Sequence, residues 1–341
     1  MRDVLPALER WAGEGLRIVT ATVVATEGSA PREPGAVLAV SELGEVAGSV
    51  TGGCVEPAVY EEALAVLRDG RPRLCVYGIA DEEAFGVGLS CGGTVRIFVE
   101  RFDAPLLEPL RAAIDQELPV AVVSTVTEDG SGRPPRLVAL HDAQPEIAEA
   151  LARGESRLVE AGGDLLFVSS FAPRARMYVF GAVDHAGAVA TIGRFLGYRV
   201  TVCDARARFA TNERFPDVDE LVVAWPDEFL RGAPVDRRTA IIVLTHDPKF
   251  DVSLLVAALQ TDAGYIGAMG SLRTTEERAE RLRSEGVDEQ QLRRIHAPIG
   301  LRIGGRSPQE VAVSVAAELI QALRGGAHAG TALVSGATRE R

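Results

Sequence analysis

At 341 residues the chain is long enough for two or three domains with sizeable cores. Hydrophobic residues make up 47% and charged residues 25%, the balance of an ordinary globular protein. The formal net charge of -12 argues against broad phosphate-backbone binding to nucleic acid, and the lack of any apolar run of spanning length argues against an integral membrane segment.

Four cysteines, at 54, 75, 91 and 203, are too few and too dispersed for a disulfide framework. Met1–Glu14 is charged and helix-like, with no signal-peptide core, so a reduced, cytoplasmic protein is expected. No CxxC pair or His/Cys cluster has zinc-ligand spacing, and no metal site is expected.

Residues 1–13 read as a helix that leads into a Val/Ile/Thr-rich strand, Leu16–Val24. Glu27–Arg32 and Pro34-Gly35 form a turn before a second strand, Ala36–Val40. Then comes Gly-Ser-Val-Thr-Gly-Gly-Cys-Val-Glu, Gly48–Glu56, the densest cluster of chemical signals in the chain. Gly52 and Gly53 allow close backbone approach. Pro57 suits the first turn of a helix whose apolar positions Val59, Ala63, Val66 and Leu67 run up to Gly70. Cys54 therefore stands at a helix N-terminus, where thiolate and other anions are favoured. It is a candidate reactive or ligand-holding thiol; the second reading is a small packed cysteine on a glycine turn.

Arg73–Tyr77 is a further strand, and alternation packs Cys75 inward. Beyond the loop Ala80–Gly88, Leu89–Thr94 brings Cys91 beside another Gly-Gly pair, ahead of the strand Val95–Glu100. If Cys54 and Cys91 face one pocket, their sulfurs suit a soft metal or thiophilic cofactor.

The text then partly repeats. Ile18–Val40 resembles Val120–Leu140, and Cys91–Pro105 resembles Ala161–Pro173, with Ala161 in place of Cys91 and no second GGCVE turn. A duplicated small α/β unit is expected over residues 1–173, its degenerate copy at about 118–173.

From Met177 strand–helix alternation begins, the signature of a doubly wound parallel sheet, here expected over 174–325. Met177–Gly181 and Arg199–Cys203 are strands around the helix Asp184–Gly197; Leu221–Ala224 and Ala240–Thr245 are further apolar runs; Phe250–Gln260 and Thr274–Glu285 are helices. Cys203 belongs to a buried strand. Gly181 and Asp204 match the first glycine and the ribose-binding acid of a dinucleotide fingerprint. Val183, however, stands where the backbone should approach pyrophosphate, and Asp184 adds negative charge there, so ordinary NAD(P) binding is not expected.

At strand carboxyl ends lie Thr245–Asp251, with His246, Asp247 and Asp251, and the glycine lip Tyr265–Ser271, with Gly267, Gly270 and Ser271. His246 is a general-base or hydrogen-bonding candidate, or else a structural cap. Ser307-Pro308-Gln309-Glu310 reads as a capping box opening a last helix, and 326–341 as a loose tail.

GSxPRxPG, GSVTGGCVE, the later CGG, THDPKFD, YIGAMGS, PIGL and the SPQE helix, taken in order from about Val19 to Leu323, closely resemble the XdhC/CoxF family. Its members are maturation factors for xanthine and carbon monoxide dehydrogenases. The resemblance implies a cofactor-binding chaperone, with no turnover of its own required, that binds molybdenum cofactor (molybdopterin) as cargo. It implies help with terminal sulfuration, with a cysteine desulfurase as an expected partner, and delivery to a molybdenum hydroxylase. A homodimer is expected. The implied cofactor site holds Gly52, Gly53, Cys54 and Glu56, with Cys91 near it; in the second half it holds His246, Asp247, Asp251, Gly267, Gly270 and Ser271. Gly181-Ala-Val-Asp-His185 departs from the family's Gly-x-Gly-His turn. The reading from another class is an NAD(P)-dependent oxidoreductase using Gly181, Asp204 and His246, and a third is a sulfur-transfer enzyme using Cys54 and Cys91.

Overall fold

The structure, a computed structural model, describes residues 1–29, 32–78, 93–127, 132–245 and 248–324, the side chains of 248 and 249 excepted. The chain divides into two compact units, Met1–Pro173 and Arg174–Arg341.

The first unit begins with α1 (Leu5–Gly13), β1 (Ile18–Glu27), β2 (Val37–Ser41), β3 (Val46–Gly48), α2 (Glu56–Asp69), β4 (Arg73–Tyr77) and β5 (Thr94–Arg101). It continues with α3 (Leu107–Asp115), β6 (Val120–Thr125), β7 (Arg136–Ala139), α4 (Pro145–Arg153), β8 (Arg157–Ala161) and β9 (Asp164–Phe171). Two antiparallel sheets result, in the orders β3-β2-β1-β5-β4 and β7-β6-β9-β8.

Alternation explains the layering, because successive side chains of a strand point to opposite faces. Val19, Ala21 and Val23 of β1 pack with Val59, Ala63 and Val66 of α2. Ile18 of β1 and Val37 and Ala39 of β2 face Val120 and Val122 of β6 instead. The opposite face of the second sheet, Ala121, Val123 and Val168, packs on Ile147, Ala150 and Leu151 of α4. The order of layers is helix, sheet, sheet, helix, and α1 and α3 add Leu8, Trp11 and Leu110 to the middle.

Glu100 of β5 lies in that middle layer, buried, and accepts a 2.5 Å hydrogen bond from Ser124 of β6. Burial pushes its carboxyl up to about 7, the Ser124 bond offsetting part of the rise.

The second unit comprises β10 (Arg176–Phe180), α5 (Asp184–Phe195), β11 (Arg199–Cys203), β12 (Glu220–Val222), α6 (Pro226–Gly232), β13 (Ala240–Val243) and α7 (Pro248–Leu259). After these come β14 (Tyr265–Ala268), α8 (Leu272–Ser284), α9 (Glu289–Leu292), β15 (Ile295–His296) and α10 (Pro308–Arg324). Its six strands are parallel in the order β12-β11-β10-β13-β14-β15. The order reverses between β10 and β13, the switch point at which such sheets hold ligands outside their strand carboxyl ends. Helices α5 and α10 cover one face and α6, α7 and α8 the other.

Two details come only from the structure. The Leu221–Ala224 run gives only a three-residue strand, shifted to Glu220–Val222. The short β15 has no sequence signal of its own and exists because β14 offers it an edge. Among the described residues no helix is long and apolar enough to cross a membrane.

Candidate functional site

The Gly48–Glu56 turn is closed by its own last residue. The Glu56 carboxylate accepts from the backbone amides of Val50 (3.2 Å), Thr51 (2.9 Å), Gly52 (2.9 Å) and Gly53 (2.8 Å). It also accepts from the hydroxyls of Ser49 (2.6 Å) and Thr51 (2.7 Å). Gly52 and Gly53 have φ of +87° and +128°, so the convergence of these amides depends on glycine. Burial alone would raise the Glu56 carboxyl, but the hydrogen bonds from Ser49 and Thr51 hold it far below the usual carboxylate range.

The turn is thus an anion cradle, as the glycines imply, with its anion supplied from within the chain. Glu56 is the support of the turn, and Cys54, exposed beside the start of α2, is what the turn presents. Cys75 packs half-buried against the α2 core, and burial raises its thiol. Cys91 lies outside the described residues, as do His246 and Asp247.

At the switch point the same pattern recurs. Gly181, with φ +105°, lets the chain turn close to β13: a Cβ there would fall 2.8 Å from Thr245 Cγ2. Asp204 is buried at the end of β11 and accepts from the Ala182 amide (2.7 Å) and from the Arg206 amide (2.8 Å) and guanidinium (2.7 Å). Burial works against its charged form, but Arg206 and these amides hold its carboxyl below the usual range. Both the acid and the amide that a nucleotide would use are therefore engaged with each other. Asp184 at the start of α5 pairs with Arg214 at 3.1 Å. Cys203 is a core residue; burial and the neighbouring Asp204 push its thiol up to about 12.

Two of the stretches chosen from sequence do meet, at the carboxyl ends of β13 and β14. Asp251 of α7 is buried and accepts from the Thr245 hydroxyl and, at 3.0 Å, from Arg278 of α8. Arg278 also donates to the Met269 carbonyl (2.9 Å), which ties the ion pair to the glycine lip. Ser271 caps α8, its hydroxyl accepting from the Thr274 amide at 3.1 Å. Gly270 borders Arg278: a Cβ there would lie 3.5 Å from Nη1. Gly267 serves packing, because a Cβ in its place would fall 2.4 Å from Ile299 Cδ1.

Arg278 and Thr245 were not among the candidates read from sequence. The available signal was an arginine one helical turn before Leu282 on the buried face of α8. Neighbouring loops are supported in the same manner: Glu318 accepts from Tyr265 (2.6 Å) and the Gly300 amide (2.8 Å), and Glu310 from the Arg306 and Ser307 amides. Among the described residues no group of three or more His, Cys, Asp or Glu converges as a metal site.

Comparison with known proteins places this geometry. Residues 177–319 match the XdhC Rossmann domain, and residues 11–78, which include the Cys54 turn, match the XdhC and CoxI family. The chain belongs to the XdhC and CoxI family.

Among its relatives is a Bacillus subtilis protein named as a probable xanthine dehydrogenase subunit, 28% identical over 317 residues, covering 89% of this chain and 92% of the relative. Another is the Escherichia coli molybdenum cofactor insertion chaperone PaoD, 28% identical over 310 residues, covering 90% and 83% respectively. A crystal structure from Bacillus halodurans, described as a xanthine dehydrogenase, aligns with a TM-score of 0.67 at 26% identity, covering 96% of this chain and 98% of that one. As an XdhC-family chain, the protein has its two matched segments on different units: the Cys54 turn on the first, the ion pair and glycine lip on the second.

Proposed function

We propose that this chain is a maturation factor that binds molybdenum cofactor, assists its sulfuration, and delivers it to a molybdenum hydroxylase of the xanthine or carbon monoxide dehydrogenase type. The observation that carries the reading is the exposed thiol of Cys54 on a turn whose amides are locked by Glu56. A fixed, accessible sulfur beside a helix N-terminus suits a soft, anionic, sulfur-rich cargo. In this reading Cys54 faces the cargo, and Gly52, Gly53 and Glu56 hold that thiol in place. The protein works in the cytoplasm as a homodimer, with a cysteine desulfurase as sulfur source, and holds its ligand as a chaperone does. The relative named as an insertion chaperone supports this assignment.

Anaerobic binding of molybdenum cofactor to the wild type and to Cys54→Ser, with molybdenum and pterin both quantified, tests it. Tight wild-type binding that is lost in Cys54→Ser is the expected outcome; no binding by the wild type would sink the proposal. The strand order of the second unit favours one other reading, a nicotinamide-dependent oxidoreductase. Calorimetry with NADPH tests that alternative, and the mutual engagement of Asp204 and the Ala182 amide predicts no binding heat.

A further inference from the structure

The amide-rich turns around Gly52, Ala182, Gly300 and Ser307 share one property: a carboxylate of the chain itself already fills each of them, Glu56, Asp204, Glu318 and Glu310 in turn. The amino end of α8 differs. Its cap is the neutral Ser271, which satisfies only the Thr274 amide. The amides of Leu272 and Arg273 head a 13-residue helix, where no intrahelical acceptor exists.

Beside them lies Arg278, of which only 5% of the side chain is exposed. Its Nη2 is committed to Asp251 and to the Met269 carbonyl. Its Nη1 is sealed from solvent and has no hydrogen-bond partner among the described residues. A guanidinium N–H shut away from water without an acceptor is costly, because it has lost its hydration and gained nothing. This N–H borders the lip, at the place into which a Cβ on Gly270 would point.

We infer that Arg278 Nη1 and the amino end of α8 form a binding site for an oxyanion of the phosphate class. The donors are of two kinds that act together: a charged N–H, which gives strong short bonds to oxyanions, and helix-head amides at the positive end of the dipole. Asp251 tunes the site by holding the guanidinium in position and taking up its other nitrogen. Gly270 carries no side chain beside Nη1, so a shift of the Thr274 side chain, whose Cβ and Cγ2 border the same point, opens the sealed Nη1 to an oxygen. Gly270 is not among the positive-φ glycines, so alanine fits its backbone. The site stands without the cofactor reading; only its identification with the anionic end of a pterin cargo rests on that reading.

The test uses the full chain and inorganic phosphate as probe, read by 31P NMR line broadening at low ionic strength. Three variants isolate the donors. Arg278→Lys keeps a cation for Asp251 but loses Nη1. Gly270→Ala fills the space beside Nη1. Leu272→Pro removes one helix-head amide at the position where proline fits a helix.

The expected result is saturable wild-type binding, weakened about tenfold or more in Arg278→Lys and Gly270→Ala and about threefold in Leu272→Pro. Thermal melts identify any variant that fails to fold, and the remaining ones carry the test. No saturable wild-type binding, or equal binding by every folded variant, overturns the site. Competition then names the source: displacement of phosphate by molybdenum cofactor assigns the site to the cargo, and displacement by NADP+ assigns it to a nucleotide. Loss of cofactor binding in Cys54→Ser with phosphate binding intact would leave this site standing and confine the effect to the first unit.

Discussion

The two sheets of the first unit have the same strand order, apart from the extra edge strand β3, and each carries a helix on its outer face. We propose that they are copies of one unit over residues 1–173, in line with the internal repeat of the sequence. They differ in the residue before the helix proline. Glu56 precedes Pro57 in the first copy, and its carboxylate gathers four amides and two hydroxyls. Gln144 precedes Pro145 in the second, and its side chain caps nothing at the start of α4. One frame therefore supports either a rigid turn that presents a thiol or a plain connection. The difference is one carboxylate together with the glycines that let amides face it.

The sharpest way to break this comparison is Gly48→Ala. Its Cβ would fall 2.2 Å from the Val37 carbonyl oxygen at φ +81°, so overpacking and backbone strain combine. The expected loss is on the order of 4 kcal/mol in urea unfolding, and a loss under about 1 kcal/mol would contradict the close approach.

Glu100→Gln tests the layer where the two copies face each other. The folded carboxyl titrates near 7, above its unfolded value, so the protonated form is the one that folding favours. Its contribution is fully present below about pH 4.5 and is lost as pH rises through about 7. The charged form therefore costs on the order of 3 kcal/mol at pH 8, a cost Gln avoids. Wild type should lose stability relative to the variant between pH 5 and pH 8; parallel stability curves would refute the buried carboxyl.

Glu56→Gln replaces an acceptor of amides by a group that also donates, so about 2 kcal/mol should be lost. Because the carboxyl is held below its usual range, the stability from this group is fully present above about pH 5 and is lost progressively as pH falls below about 4.5 toward the lower folded value. The alkylation rate of Cys54 should change in the same variant. An unchanged rate would detach Cys54 from Glu56. The smallest effect belongs to the second copy: Gln144→Ala should shift unfolding by less than about 0.5 kcal/mol, and a cost near that of Glu56→Gln would mean that the copies do not differ in this way.

Periodicity alone determined most of the fold, because the apolar faces of β1, α2, α5 and α10 repeat at strand or helix spacing and have one place to go. Local turn chemistry likewise marked Gly52, Gly53, Ser271 and the Ser307–Glu310 cap, since glycine and capping residues act within a few positions. Sequence could also say that an anion belongs at the Gly48–Glu56 turn. Only the tertiary structure decided whose anion it is, because a carboxylate reaches its amides through folded geometry that composition does not encode. The same holds for Asp204 on the Ala182 amide and for Arg278, whose partner Asp251 lies 27 positions away. Contacts at such distances in sequence are set by how strands and helices stack, which no local pattern records.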